Sequence, residues 1–203
     1  MDFLLNPNKF FAERGEMSFK IPLLVVTVCA LVGALSTYIS MPYLLPFIEN
    51  SLVKSLQLPK ETIKIVSQTI LFSAVIFSFI GAFLGWVLFT AILFGLSAIF
   101  RGKGSFTTLM KFMAFSLIPP IILSPVNTYL LIEFFRTLSN EALISIVLFG
   151  FASTLWQFVY WVYAVKNARK LSLKNSVLIC SVILVISFAM SVNSTLSQVA
   201  SFR

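Results

Sequence analysis

Few side chains in this sequence could carry out acid–base or metal chemistry. The 203-residue chain has no histidine and seven acidic residues. The acids fall in terminal segments or near the ends of apolar runs: Asp2, Glu13, Glu16, Glu49, Glu61, Glu133 and Glu141. Proton coupling and intramembrane catalysis generally use ionisable residues inside a membrane segment, and a serine nucleophile here has no evident base except a lysine at the membrane edge. We therefore expect no enzyme activity, no cofactor and no metal site.

A glycine-bracketed lysine in the stretch RGKGSF suggests a phosphate-binding loop as one interpretation. A Walker A loop requires G-x-x-x-x-G-K followed by Ser or Thr. Here Gly104 follows Lys103, and the position five before Gly102 is Ser97 rather than glycine. The stretch also joins two apolar runs instead of a strand and a helix. We interpret it as a turn that Lys103 anchors at the lipid headgroups, with Ser105 capping the next helix.

The two cysteines, Cys29 and Cys180, both lie inside apolar runs. A disulfide framework or a zinc site requires other spacing and more ligands. Buried cysteines usually behave as small apolar residues, so we expect these two to serve packing.

Uncharged polar residues lie deep in the apolar runs and have two possible roles. They are Gln68, Ser116, Ser124, Asn127, Gln157 and Asn193. Hydrogen bonds between membrane helices contribute roughly 0.6–2 kcal/mol each and are their ordinary role. The alternative is that they line a polar pathway.

Two adjacent prolines, Pro119 and Pro120, fall in the middle of the third apolar run. Each lacks a backbone donor, so the pair is expected to break a helix. Such breaks occur at transporter binding sites, and they also occur as simple kinks that serve packing. We take the surrounding residues as a candidate functional irregularity: Ala114, Phe115, Pro119, Pro120, Ser124 and Asn127.

The composition predicts the elements that hold these residues. The chain is 59% hydrophobic and 11% charged, whereas soluble domains have about 25% charged residues. A helix needs roughly 20 apolar residues to cross about 30 Å of hydrocarbon, and five segments qualify. They cover residues 21–40, 65–100, 106–134, 142–165 and 173–192. We predict an all-α, polytopic integral membrane protein with five transmembrane helices, the third broken by Pro-Pro.

Two of these segments depart from a single straight span. Pro42 and Pro46 are expected to end or bend the first span. Residues 65–100 are too long for one straight span and too short for two spans with a turn. They fit one long helix that bends near Gly81 and Gly85, or an interfacial helix that leads into a span.

Residues 1–20 form a separate N-terminal segment ahead of the membrane domain at 21–203. Asn6 followed by Pro7 predicts a capped helix start. We take the segment as cytosolic and interfacial, with Phe3, Leu4, Phe10 and Phe11 dipping into the lipid. The alternative is a short tail that packs on the helix bundle.

Basic residues predict the orientation in the membrane. Ten fall on the side of the N-terminus: Lys9, Arg14, Lys20, Arg101, Lys103, Lys111, Lys166, Arg169, Lys170 and Lys174. Five fall on the other side: Lys54, Lys60, Lys64, Arg136 and Arg203. This bias predicts a multi-pass protein of the cell membrane with a cytoplasmic N-terminus.

The net charge of +8 does not indicate nucleic-acid binding, because the basic residues lie between apolar runs rather than on one exposed face. We expect Lys103, Arg169 and Lys170 to anchor the inner face at the lipid headgroups, anionic lipids included. The cluster of aromatic residues toward the inner end of the fourth span is typical of an interfacial belt. These residues are Trp156, Tyr160, Trp161 and Tyr163.

The ordered stretches NPNKFF, FRGKGSF, AFSLIPP and LWQFVYWVYAVKNARKLSLKNS together resemble the Yip domain family. These five-span membrane proteins are named for interaction with Ypt/Rab GTPases, and the resemblance covers about residues 6–192. The family's G-Y-x-x-x-P element appears here in altered form, as Ala114 and Phe115 followed by Pro119. The acidic D-L-Y-G-P element of eukaryotic members has no counterpart in NPNKFF, so GTPase binding and vesicle transport are not carried over. The resemblance implies five spans and a cytosolic N-terminus.

Two functions follow as hypotheses. The first is a non-enzymatic membrane scaffold, or a membrane-organising or trafficking-type partner, that contacts the bilayer and a protein partner or a second copy of itself. The second is a small transporter or channel with a polar site at the broken third helix, near Ser124 and Asn127.

Overall fold

The computed structural model describes residues 6–56 and 59–201, except for the side chains at 51, 54–56, 60 and 190–201. Within this part of the chain the fold is all-α, with seven helices and no strand. Their bounds are α1 Pro7–Glu13, α2 Lys20–Leu56, α3 Lys60–Ile99, α4 Phe106–Phe115, α5 Ile118–Thr137, α6 Asn140–Arg169 and α7 Leu173–Ser201.

Four helical stretches in the described residues are long and apolar enough to cross a membrane. They are Lys20–Asn50, Glu61–Ile99, Phe106–Thr137 and Asn140–Arg169. A shorter apolar helix, Leu173–Ala189, follows them, and the side chain of Asn193 lies outside the described residues. The chain is therefore a multi-pass membrane protein, and a fifth crossing by α7 stays a prediction.

Residues 65–100 belong to one long helix. α3 has 40 residues, which at 1.5 Å per residue gives a length of about 60 Å. The hydrocarbon core is only about 30 Å thick, so α3 either tilts strongly or extends past the hydrocarbon. α2 has 37 residues, so it too is longer than the hydrocarbon is thick.

The first span does not end at its prolines. α2 continues through Pro42 and Pro46 to Leu56, so of the two predicted outcomes the ending is wrong, and a bend at these prolines stays a prediction. Prolines are tolerated inside membrane helices where neighbouring groups compensate the freed carbonyls. Contacts with α5 accompany this stretch: Arg136 donates a hydrogen bond to the Tyr43 hydroxyl at 3.1 Å.

The third span is interrupted at Ser116 and Leu117. Their backbone N–H groups bond to carbonyls three residues back, at 3.1 and 3.2 Å, which is the tighter pattern of a 3₁₀ turn. Pro119 and Pro120 follow within the first turn of α5, where a helix does not need their missing N–H groups. The irregularity therefore lies just before the prolines, and α4 and α5 together form the single apolar stretch Phe106–Thr137.

α1 begins as predicted, with Pro7 in its first turn and the Asn6 side chain accepting a backbone N–H at 3.1 Å. Phe10 and Phe11 are buried, and the Phe11 ring lies 4.9 Å from the Phe112 ring. These two rings therefore pack on the helix bundle and do not dip into the lipid. Residues 1–5 lie outside the described part of the chain.

The buried core lies toward one end of the bundle. We call this the basic end; it holds α1, the turn at 100–105 and the turn at 170–172. Most of the fully buried large side chains are found there, among them Phe11, Leu93, Leu109, Phe112, Met113, Tyr160, Val165 and Ile179. The opposite half of the bundle buries fewer of the described side chains.

Candidate functional site

The RGKGS turn packs directly on the C-terminal end of α6. The Lys103 N–H donates to the Arg169 carbonyl at 3.0 Å. A Cβ added at Gly104 would overlap the Ala168 carbonyl oxygen, so the close approach requires glycine at this position. The Ser105 hydroxyl caps α4 by accepting a backbone N–H at 3.1 Å. The interpretation as a turn with a serine cap is therefore confirmed.

Arg169 is buried beneath this turn and does not face the headgroups. It is 4% exposed, and it donates from Nε to the Ser97 hydroxyl at 2.7 Å and from a terminal nitrogen to the Gly102 carbonyl at 2.6 Å. Its guanidinium carbon lies 4.0 Å from the centre of the Phe94 ring. The C-terminal ends of α3 and α6 meet here, and their partial negative charge favours a cation. The prediction that Arg169 anchors lipid is wrong, because the protein itself uses its donors.

The other two predicted anchors are placed differently. Lys103 and Lys170 are both exposed at the basic end. Lys170 ends α6 in a left-handed conformation, with φ of 54°. Both ammonium groups extend from backbone that the turn fixes against α6.

Three of the six residues at the candidate irregularity line one cavity. Pro120, Ser124 and Asn127 border a space of about 290 Å³ between α2, α5 and α6, which we call the α2–α5 cavity. The Ser124 hydroxyl donates to its own helix, to the Ile121 carbonyl at 2.9 Å. It therefore presents an acceptor rather than a donor to the cavity.

The other three predicted residues lie elsewhere. Ala114 and Pro119 are fully buried, and Phe115 is 5% exposed. The Phe115 ring lies 5.0 Å from the ring of Phe10 in an edge-to-face arrangement. Phe115 therefore packs α4 against α1, and Ala114 and Pro119 lie in the buried core.

A second cavity lies between α3, α6, α7 and the junction of α4 with α5. We call it the Trp161 cavity; its volume of about 330 Å³ is within the range of small-molecule pockets. It is lined by Gly85, Trp86, Phe89, Met113, Ser116, Leu117, Thr154, Gln157, Trp161 and Ser187. The Ser116 and Thr154 hydroxyls donate to carbonyls of their own helices at 2.7 and 2.8 Å, so their oxygens remain as acceptors.

The indole N–H of Trp161 is buried without a hydrogen-bond partner among the described residues. Trp86, on the same cavity, instead donates its indole N–H to the Met110 carbonyl at 2.9 Å. Trp161 is 5% exposed and Tyr160 is 1% exposed, so these two rings belong to the core rather than to an interfacial belt. Trp161 precedes the end of α6 by eight residues, which is about 12 Å along the helix.

A third, smaller cavity lies between the first two. Its volume is about 180 Å³. It shares Thr154 and Ser187 with the Trp161 cavity, and it shares Asn127 and Gly150 with the α2–α5 cavity. The three spaces therefore follow one another along α6.

The cavities share one side of α6. Gly150, Thr154, Gln157 and Trp161 follow a spacing of four, three and four residues, which places them on one side of a helix. This stripe of small and polar residues on an otherwise apolar helix is the signal for the cavity. The sequence predicts for Gln157 either a helix–helix hydrogen bond or a place in a polar pathway, and for Trp161 an aromatic belt; neither prediction places the two residues on one face with Gly150 and Thr154.

The helices and cavities define a polytopic, all-helical membrane protein with polar groups inside its bundle. A family model of the Yip1 domain matches residues 1–192, and the chain belongs to the Yip1 domain family. This confirms the family resemblance. Comparisons with curated proteins and with solved structures give no match.

Proposed function

We propose that this Yip1-domain protein is a non-enzymatic membrane scaffold that gathers anionic lipid at the cytoplasmic face of the cell membrane. The supporting observation is the basic end, where exposed cations extend from a rigidly packed backbone. They are Lys9, Arg14, Lys20, Arg101, Lys103, Lys170 and Lys174. Basic residues near a membrane surface each attract anionic lipid by about 1 kcal/mol.

The connections at this end are tied to one another. The Lys166 ammonium donates to the Asn8 side chain at 2.9 Å, which joins α1 to α6. Arg169 joins α6 to the turn before α4 through its bond to Gly102. Because these links fix the backbone, the exposed cations keep their spacing, and a lipid cluster or a partner protein meets a defined surface.

Lipid selectivity in reconstituted membranes tests the proposal. The protein is placed in phosphatidylcholine vesicles with a minor fraction of spin-labelled phosphatidylserine, and the protein-contacting fraction of the label is measured. We expect enrichment that falls with added salt and falls in a Lys103→Gln, Lys170→Gln double variant. The control is Lys64→Gln, an exposed lysine near the start of α3, at the opposite end of the bundle. Equal enrichment in the double variant and the control contradicts the proposal.

The three successive cavities favour a second candidate, a small transporter or channel. Asn127 lines two of them, so Asn127→Leu removes an amide that both share. Solute flux through reconstituted protein that stops in this variant, but not in Gly81→Leu, supports transport and overturns a role confined to scaffolding. If the reconstituted protein passes none of the tested ions or metabolites, the transport function is excluded and the scaffold function remains.

A further inference from the structure

The Trp161 cavity has the features of a ligand site, independently of the scaffold role. We propose that it binds an uncharged amphiphile whose carbonyl oxygen accepts a hydrogen bond from the Trp161 indole N–H. The apolar tail of the ligand then leaves between the helices toward the lipid.

The unpartnered N–H is the first reason. A buried donor that lacks an acceptor destabilises the folded protein, so most such groups in native structures have a partner. Trp161 is 95% buried and lines the cavity. Gln157, four residues earlier on the same face, makes no side-chain hydrogen bond to the described residues. Both side chains line the cavity, and we assign their N–H groups as the donors for an incoming acceptor.

The lining also limits the charge of the ligand. None of the described acidic or basic side chains borders the cavity, so a phosphate or carboxylate at this depth has no counter-charge among them. The Ser116 and Thr154 hydroxyls use their protons within their own helices. A neutral carbonyl group matches the indole donor at no electrostatic cost.

Aromatic rings shape the rest of the space. The Phe89 and Trp161 rings lie 4.7 Å apart at 51°, and Trp86 borders the same cavity. Two kinds of membrane molecule supply this chemistry: a diacylglycerol through an ester carbonyl, and a prenyl-type quinone through a ring carbonyl. Both keep an apolar tail in the hydrocarbon.

Gly85 provides a way to fill the cavity without disturbing the fold. It lines the cavity, and a Cβ added there meets no atom within 4 Å. Gly81, one turn earlier in α3, has the same open surroundings but does not line the cavity. Leucine at these two positions therefore forms a matched pair.

Native mass spectrometry of the full chain in detergent tests the proposal with two probes, a benzoquinone with a decyl tail and dioleoylglycerol. We expect at least one probe to bind, and Trp161→Phe to weaken that binding about three- to tenfold, the worth of one hydrogen bond. Trp156→Phe removes an indole N–H from the same helix outside the cavity and should leave the affinity unchanged. Gly85→Leu should abolish binding, and Gly81→Leu should not.

The preferred probe identifies the source of the carbonyl. Failure of both probes to bind, or equal affinities for wild type, Trp161→Phe and Gly85→Leu, overturns the proposal. Binding of dioleoyl phosphatidic acid as tight as that of dioleoylglycerol overturns the requirement for an uncharged ligand. Thermal melting by circular dichroism checks the fold of each variant, and if Gly85→Leu does not fold, the two tryptophan variants decide the outcome.

Discussion

Gly104 has no room for a side chain. Because a Cβ there would overlap the Ala168 carbonyl oxygen, Gly104→Ala must move the turn away from α6 and break the Lys103–Arg169 backbone hydrogen bond. We expect a loss of about 2–3 kcal/mol in the free energy of unfolding, as for other overpacked sites. Denaturation in detergent measures it. Gly81→Ala, in open space, should be neutral or slightly stabilising, and equal stability of the two variants contradicts this account of the turn.

Arg169 tests whether geometry or charge matters at the junction of α3 and α6. Lysine keeps the charge but cannot reach both Ser97 and Gly102 from one planar group. We expect Arg169→Lys to lose about 2 kcal/mol of stability, since hydrogen bonds from charged groups contribute about 1.5–3 kcal/mol each. Lys170→Gln, at the exposed neighbouring position, should have little effect. A fully stable Arg169→Lys variant would show that the charge alone is sufficient.

At the scale of elements, α1 depends on its contacts for its structure. It has seven residues, and isolated helices of that length are not stable in water. Phe11→Ala should weaken its attachment by about 3–5 kcal/mol, the usual cost of removing a buried ring, whereas Asn6→Ala removes only a cap, worth about 1 kcal/mol. Trypsin cleavage after Arg14 measures the difference: we expect much faster cleavage in Phe11→Ala. Similar cleavage rates in the two variants would mean that the ring does not hold α1.

Local chemistry explains which elements were predictable from the sequence. The helix caps at Asn6 and Ser105 depend only on residues within one turn, so the local sequence was sufficient to predict them. The path of α2 through Pro42 and Pro46 was not predictable, because neighbouring helices decide whether a proline ends a membrane helix. Arg169 is buried because two helix ends that are far apart in sequence meet there. The positive-inside rule predicts the side of the membrane on which a basic residue lies, but not whether it is buried.

In the candidate site, too, some features could be predicted from the sequence and others depend on how the helices pack. The deep positions of Ser124, Asn127 and Gln157 follow from hydropathy, and the cavities they border are set by the packing of α2 to α7. Trp161 is ambiguous by type, since tryptophan is common both at membrane interfaces and in cores. Its distance of about 12 Å from the end of α6 is what separates the two roles.

At the scale of the whole molecule, the packing is concentrated at the basic end. Large apolar side chains in the remaining part of the bundle are exposed in the described chain, such as Phe72, Phe77, Tyr129 and Leu148. In lipid this exposure is not costly, because acyl chains solvate such surfaces as well as another side chain does. The molecule therefore combines a packed basic end with cavities that follow one another along α6, and the two proposals use these two features separately.

The orientation of the whole bundle is testable by cysteine labelling. In a chain whose Cys29 and Cys180 are replaced by alanine, single cysteines are placed at positions 64, 103 and 203 and exposed to a membrane-impermeant maleimide on intact cells. The excess of basic residues at the basic end predicts that Lys103→Cys reacts only after the membrane is opened, and that Lys64→Cys reacts in intact cells. If α7 crosses the membrane as a fifth span, Arg203→Cys reacts in intact cells like Lys64→Cys. Protection of position 203 together with position 103 would limit the crossings to four, and labelling of position 103 alone would reverse the orientation.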